Sequence, residues 1–290
     1  MKLAATALMA SAAWGQLNGV IDIHAHAGPD SVPRAIDAVP LARLAKARGM
    51  RGLVLKNHYE STAALAYVVR QEVPGIEVFG GIDLNRAVGG VNAAAIERMV
   101  LMKGGYGRVV WLPTFDAENQ VRFSKEERPY VAVTKNGALL PEVREVMALC
   151  AKHGLTLETG HSSASEGLTI VRAARRAGVR NVVVTHAMAA PVGMTVAQMK
   201  EAAAMGGWIE FVYHAIVGAH AEWTMADYAR AIRAVGAEHC ILASDLGQVG
   251  NPLHPDGLAE FFAGLERAGI TAAEVERMSK VNPARALGLE

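Results

Sequence analysis

The sequence predicts one α/β domain: a single, closed (β/α)8 TIM barrel with an extra C-terminal helix and an inserted loop after the fourth strand. Three observations lead there. Short apolar runs alternate with amphipathic helical stretches eight times, the pattern of a parallel sheet covered by helices. No linker rich in Pro, Gly and Ser divides the 290 residues, a length that suits one barrel. The competing open, doubly wound sheet needs a glycine-rich phosphate turn after its first strand, and no Gly-x-Gly-x-x-Gly follows it here.

The first strand is the apolar run Val20-Ile21-Asp22-Ile23-His24-Ala25-His26, broken by Gly28-Pro29. A helix over 33–49 is stopped by Gly49, and 52–58 forms the second strand. Helix 61–73 ends at Pro74-Gly75, strand 76–85 leads to helix 92–103, and 108–114 is the fourth strand. The connection over 115–137 is long and charged, with a hairpin signal at Asn136-Gly137. It reads as an inserted loop over one end of the domain, of a length common in lids and binding loops. Pro141 opens a helix to 154, a favourable first-turn position. Strands then fall at 155–161, 181–186, 207–214 and 240–245, separated by helices at 165–178, 195–205 and 224–236. Helix 256–269 and a terminal helix over 271–280 complete the chain, with capping pairs at Ser163/Glu166, Thr195/Gln198 and Thr271/Glu274.

Residues 1–16 carry one lysine, an apolar stretch from Leu3 to Ala10 and the small run Ser11-Ala12-Ala13. That is the layout of a short signal peptide cleaved near Ala13. It predicts an exported protein, periplasmic or secreted; the alternative is an N-terminal extension of a cytoplasmic one. The barrel is assigned to 17–290. Basic residues (29) nearly cancel acidic ones (28), so there is no broad field for a nucleic-acid backbone or an anionic membrane. The expected partner is a small-molecule substrate, with no nucleic acid and no membrane; a homo-oligomer stays open. Cys150 and Cys240 lie far apart without metal-type spacing and read as buried thiols.

In such a barrel the active site is built at the C-terminal ends of the strands. His24 and His26, two residues apart, project from one side of the first strand and can grip one metal ion. Lys56 and His58 end the second strand, His161 the fifth, His186 the sixth, His214 the seventh and Asp245 the eighth. His58 and His214 are candidate substrate-binding residues, with structural hydrogen bonding as the alternative. His254 and His220, on loops after strands eight and seven, are candidates for substrate contact.

This pattern resembles the amidohydrolase superfamily of metal-dependent hydrolases. The resemblance covers nearly the whole chain after the leader and rests on His24-Ala25-His26, Glu158-Thr159-Gly160-His161, Val184-Thr185-His186, Ala243-Ser244-Asp245 and the ending Asn282-Pro283-Ala284-Arg285. Within the superfamily the chain looks most like a poorly characterised branch that shares Lys56-Asn57-His58, Gly89-Gly90-Val91-Asn92 and Asp245-Leu246-Gly247-Gln248. The resemblance implies metal ligands His24, His26, His161, His186 and Asp245, with Asp245 also catalytic. It implies one or two divalent ions, zinc foremost, whose bound hydroxide cleaves an amide, cyclic amide, lactone or other ester.

One departure stands out. Many binuclear members bridge their metals with a carboxylated lysine or a glutamate on strand four, and Val109-Val110-Trp111-Leu112-Pro113-Thr114 has neither. Lys56 is the candidate for a displaced bridging ligand; the alternatives are ion pairing and a mononuclear site. Two further functions stay open. One is phosphoester hydrolysis, with Arg34 and Lys56 as phosphate partners; the other is a barrel that binds a metal or small molecule without catalysis.

Overall fold

The computed structural model describes residues 17–218 and 221–289. The leader at 1–16 and His220 lie outside the described residues. Eight parallel strands follow one another around the sheet in chain order: β1 Ile21–Ala25, β2 Gly52–Leu55, β3 Glu77–Asp83, β4 Gly107–Trp111, β5 Thr156–Glu158, β6 Val182–Val184, β7 Trp208–Val212 and β8 Cys240–Ala243. Leu53 pairs with Val78, Val110 with Leu157, and Leu242 with Phe211. These runs are apolar because both faces are covered, by side chains inside the ring and by helices outside. Val182, Val183 and Val184 are all fully buried.

The helices between them are α1 Ala38–Ala47, α2 Ala63–Glu72, α3 Ala93–Val100, α4 Glu118–Phe123, α5 Pro141–His153, α6 Ala164–Arg176, α7 Val196–Ala204, α8 Met225–Val235 and α9 His254–Arg267. The predicted capping boxes are present at Ser163/Glu166 and Thr195/Gln198, and Thr224/Asp227 forms another at the start of α8. Among the described residues no helix is long and apolar enough to cross a membrane.

The ring closes between β8 and β1 through individual backbone bonds: Asp245 N–H donates to His24 O (2.8 Å) and His26 N–H to Leu246 O (2.9 Å). The seam of the barrel is therefore made by the residues that carry the candidate ligands.

All eight strands stop short of their predicted ends, three of them for a related reason. β6 ends at Val184 and β8 at Ala243 because His186 (φ 30°) and Asp245 (φ 51°) take left-handed backbone conformations that an extended ladder excludes. β5 ends at Glu158, two residues before Gly160 (φ 59°), where a Cβ would collide with Leu112 O. A non-glycine residue at positive φ costs free energy, and such sites cluster where function fixes the geometry.

Two segments differ from the sequence reading. The inserted loop holds a short helix, α4, besides the hairpin, whose strands are Thr134–Lys135 and Ala138–Leu139. Six residues give too little periodicity to be read as a helix. Tertiary contacts hold it: Val121 is buried and Asn119 Nδ2 donates to His161 O (3.0 Å) and Pro191 O (2.9 Å). The single terminal helix expected at 271–280 is instead α10 Ala272–Glu276, a π turn over Arg277–Val281 and α11 Asn282–Ala286. Buried Asn282 donates to Ala237 O (2.8 Å) and Cys240 O (2.6 Å), tying this ending to the base of β8.

Candidate metal centre

His24 and His26 leave the end of β1 on the same side, and the turn after β8 brings Asp245 across the seam to both. Asp245 Oδ1 lies 3.1 Å from His24 Nε2 and 3.0 Å from His26 Nε2. One donor atom from each of the three lies within 4.8 Å of the others, a spacing that one ion can span. Lys56 Nζ, from the end of β2, is 3.1 Å from His24 Nε2, 3.7 Å from Asp83 Oδ2 and 5.5 Å from the centre of the Trp111 ring. His161 and His186 complete the rim, their rings 4.8 Å apart and that of His186 6.2 Å from His24.

Four of the imidazoles are oriented from behind. His24 Nδ1 faces both oxygens of Glu210 at 3.2 Å, and His26 Nδ1 donates to Lys56 O at 2.7 Å. With Nδ1 held as the donor in each ring, Nε2 is the nitrogen turned toward Asp245 and the one a metal would take. Glu210 Oε2 also accepts from His186 N–H (2.8 Å), so one buried carboxylate on β7 sets a ring on β1 and the strained backbone after β6. His161 Nδ1 lies 2.7 Å from Gln120 Oε1, which α4 of the inserted segment supplies. His58 Nδ1 meets Thr114 Oγ1 (3.0 Å) and Asp83 Oδ2 (3.2 Å).

These groups open onto a cavity of about 550 Å³ whose wall includes His26, Lys56, His58, His161, His186 and Asp245. That volume suits a small-molecule substrate. His214 lies on the same wall, 3.1 Å from Asn251 Nδ2. His254 does not: it is the first residue of α9, fully buried, and absent from the wall. The expectation that it touches substrate is corrected, because the loop after β8 turns inward under the rim and packs His254 into the protein.

Residues 19–210, well over half of the chain, match the model of a family of unknown function, DUF6282. The chain belongs to that family. No curated protein sequence matches the DUF6282 protein. Among solved structures, it resembles the organophosphorus hydrolase from Deinococcus radiodurans at 18% identity and a TM-score of 0.64, over 95% of this chain and 94% of that one. It also resembles an amidohydrolase from Pseudomonas aeruginosa at 13% identity and a TM-score of 0.61, over 95% and 97%. A third similar structure, described as organophosphate hydrolysis engineered from a weak promiscuous lactonase template, gives 18% and 0.64. The DUF6282 protein thus shares the barrel fold of these structures.

The side chains of the DUF6282 protein fit a divalent cation on their own chemistry. Asp22, Asp83, Glu158, Glu210 and Asp245 are buried inside the barrel, together with Lys56. Asp22 Oδ2, Asp83 Oδ1, Glu158 Oε1 and His186 Nδ1 have no hydrogen-bond partner. Where these acids ionise, burial makes each charge cost several kcal/mol, which a bound cation offsets; without one, burial raises Asp22 to about 6 and Glu158 to about 8. Burial holds His26 and His58 well below the usual imidazole range, and burial with neighbouring His186 does the same to His161. Burial also lowers His186 to about 4, so these rings keep free lone pairs at neutral pH. Burial opposes ionisation of Asp245, yet the two histidines beside it outweigh burial and hold the acid well below the carboxylate range. Burial likewise pushes His24 down, but Asp245 and Glu210 raise it to about 10. A metal taking Nε2 of His24 therefore displaces a proton.

Sequence reading missed Glu210, Asp83 and Gln120. Glu210 carried a usable signal, a lone acid inside the apolar run Trp208-Ile209-Glu210-Phe211-Val212. Asp83 shares its position at a strand end with the histidines. Gln120 carried none, since the fold of the insertion alone brings it to His161.

Proposed function

We propose that this DUF6282 protein is a metal-dependent hydrolase that cleaves an amide, cyclic amide, lactone or other ester bond in a small molecule. The observation that carries the reading is the meeting of His24, His26 and Asp245, the last two on the wall of a substrate-sized cavity, among buried carboxylates with unpartnered oxygens. The likeness to hydrolase barrels agrees with it. His24, His26 and Asp245 would hold one divalent ion, and His161 and His186 would contribute to the same ion or to a second. Nitrogen and carboxylate donors suit zinc. When bound, the ion supplies Lewis acidity and lowers the pKa of coordinated water toward neutrality.

The protein's own residues do the rest. Asp245 is ionised and within hydrogen-bond distance of both β1 histidines, so it can take the proton of the attacking water and return it to the leaving group. Lys56 as an ammonium compensates Asp83 and the other buried acids; carboxylated, it would supply oxygens for a second ion. His58, packed against Phe115 with ring centres 4.0 Å apart, and His214 on the opposite loop flank the substrate. Phosphoester cleavage is the second reading, favoured by Arg34 on the cavity wall. The apolar leader at 1–16 supports export.

The test is metal analysis of the purified protein together with turnover on matched lactones, amides and phosphoesters. His186→Ala and Asp245→Asn are expected to lose both stoichiometric metal and activity. Full activity in metal-stripped wild type overturns the reading.

A further inference from the structure

We propose that Arg34 forms an anion subsite, so that the substrate carries a carboxylate or phosphoryl group apart from the bond that is cut. The proposal rests on the hydrolase reading for the position of that bond.

Arg34 lies on the loop after β1, and this loop is stitched to the loop after β8: Arg34 bridges to Gln248 in antiparallel fashion, and Ala35 N–H donates to Gly247 O at 2.8 Å. The backbone under the side chain is thereby fixed to the segment that carries Asp245. The guanidinium forms part of the wall of the cavity that holds the candidate ligands, yet its side chain is only 6% exposed. A cation this enclosed, beside a reaction chamber, needs a reason.

Asp30 accounts for part of it. Arg34 Nε donates to Asp30 Oδ2 at 2.7 Å, and Nη2 lies 2.7 Å from the same oxygen without meeting hydrogen-bond geometry. The other carboxylate oxygen, Oδ1, is taken by Val32 N–H (3.3 Å) and Ser31 Oγ (3.4 Å), which pins Asp30 to its own turn. Both contacts therefore fall on a single oxygen, and the pair is not the two-oxygen fork that satisfies a guanidinium. Among the described residues Nη1 makes no hydrogen bond and, unlike Nη2, keeps exposed surface, so it is the unmet donor. Asp30 aims the guanidinium and leaves donor capacity for a second anion.

The surroundings favour an anion there. Lys56, also on the wall, is the other lysine or arginine of the cavity; of the two acids there, Asp245 is engaged by His24 and His26, and Glu222 accepts from Ala190 N–H at 2.8 Å. Gln248 and Asn251 border the same wall as neutral polar groups, and Val32, Val249 and Phe115 supply apolar surface. A guanidinium fork recognises planar carboxylates and tetrahedral phosphoryl groups alike, so the site defines the anion and not its source.

The experiment is ligand-observed NMR titration of the zinc-loaded protein with N-acetyl-L-leucine, its neutral carboxamide and inorganic phosphate as competitor. Wild type is expected to bind the acid about tenfold or more tightly than the amide, as a charge-assisted pair implies. Displacement of the acid by phosphate would make the subsite a general anion site; failure of phosphate to displace it would mark it as a carboxylate site. Arg34→Met leaves Asp30 uncompensated, so the double variant Asp30→Asn/Arg34→Met is the test, with zinc content and melting temperature measured beside it. It is expected to keep its zinc and to bind acid and amide alike, while Arg34→Lys, which keeps the charge and loses the fork, falls between. Equal affinity of wild type for acid and amide, absence of binding by either, or an acid preference that persists in the double variant overturns the proposal. That last result assigns the preference to the metal. Hydrolysis of a neutral lactone reports on the hydrolase reading separately, and its failure leaves an Arg34-dependent acid preference standing.

Discussion

Replacing Glu210 with glutamine tests whether the ring of His24 is set by its buried partner. The carboxylate is fully buried, faces His24 Nδ1 with both oxygens at 3.2 Å and accepts from His186 N–H at 2.8 Å. In Glu210→Gln one oxygen remains, and the buried His186 amide requires it. The new NH2 group must then face Nδ1 of His24. A donor in that position forces Nδ1 to accept, moves the ring proton to Nε2 and removes the lone pair needed for the metal. Partners of this kind are worth about 10- to 100-fold in metal affinity, or ~1.4 to 2.7 kcal/mol. The assay is competition for zinc against a chromophoric chelator, with melting of the metal-free variant as the control for folding. Zinc affinity within about twofold of wild type, in a variant that melts normally, refutes the argument that Glu210 fixes the tautomer.

Two more outcomes follow from the same physics. Burial, with the charge of Glu210 adding to it, raises Glu158 from 4.5 to about 8 in the folded, metal-free protein. Its stabilising neutral form is fully present below pH 4.5 and is lost as pH rises through 8, because the unfolded chain ionises first. Chemical denaturation across this range should show that Glu158→Gln, which keeps an acceptor for Thr185 Oγ1, declines less with pH than wild type; parallel curves would refute this. Burial also pushes the Cys150 thiol up to about 12 and the Cys240 thiol up as well. A thiol-reactive chromophore at pH 8 should label neither residue in the native protein and both after denaturation, whereas stoichiometric native labelling would contradict their burial.

Alternation of apolar runs and amphipathic helices determined the barrel by itself, since each strand must be apolar on two faces and each helix on one. The same pattern put His24, His26, His161, His186 and Asp245 at strand ends, where this architecture gathers side chains far apart in sequence. Local signals sufficed for these residues because strand parity and strand ends are short-range properties. Tertiary structure decided what depends on distant chain. The insertion folds α4 against β5 and β6, which brings Gln120 to His161, and six residues of helix have no independent period. His254 sits on a loop by sequence but is buried once α9 packs. The backbone turns at His186 and Asp245 end β6 and β8 early, a conformation that no propensity favours. Glu210 is legible as a misplaced charge in an apolar strand, but its purpose appears only when β1 and β7 face each other across the barrel. Chain order could name the groups at the rim; only closure of the ring, through bonds made by His24, His26 and Asp245 themselves, decided which of them meet.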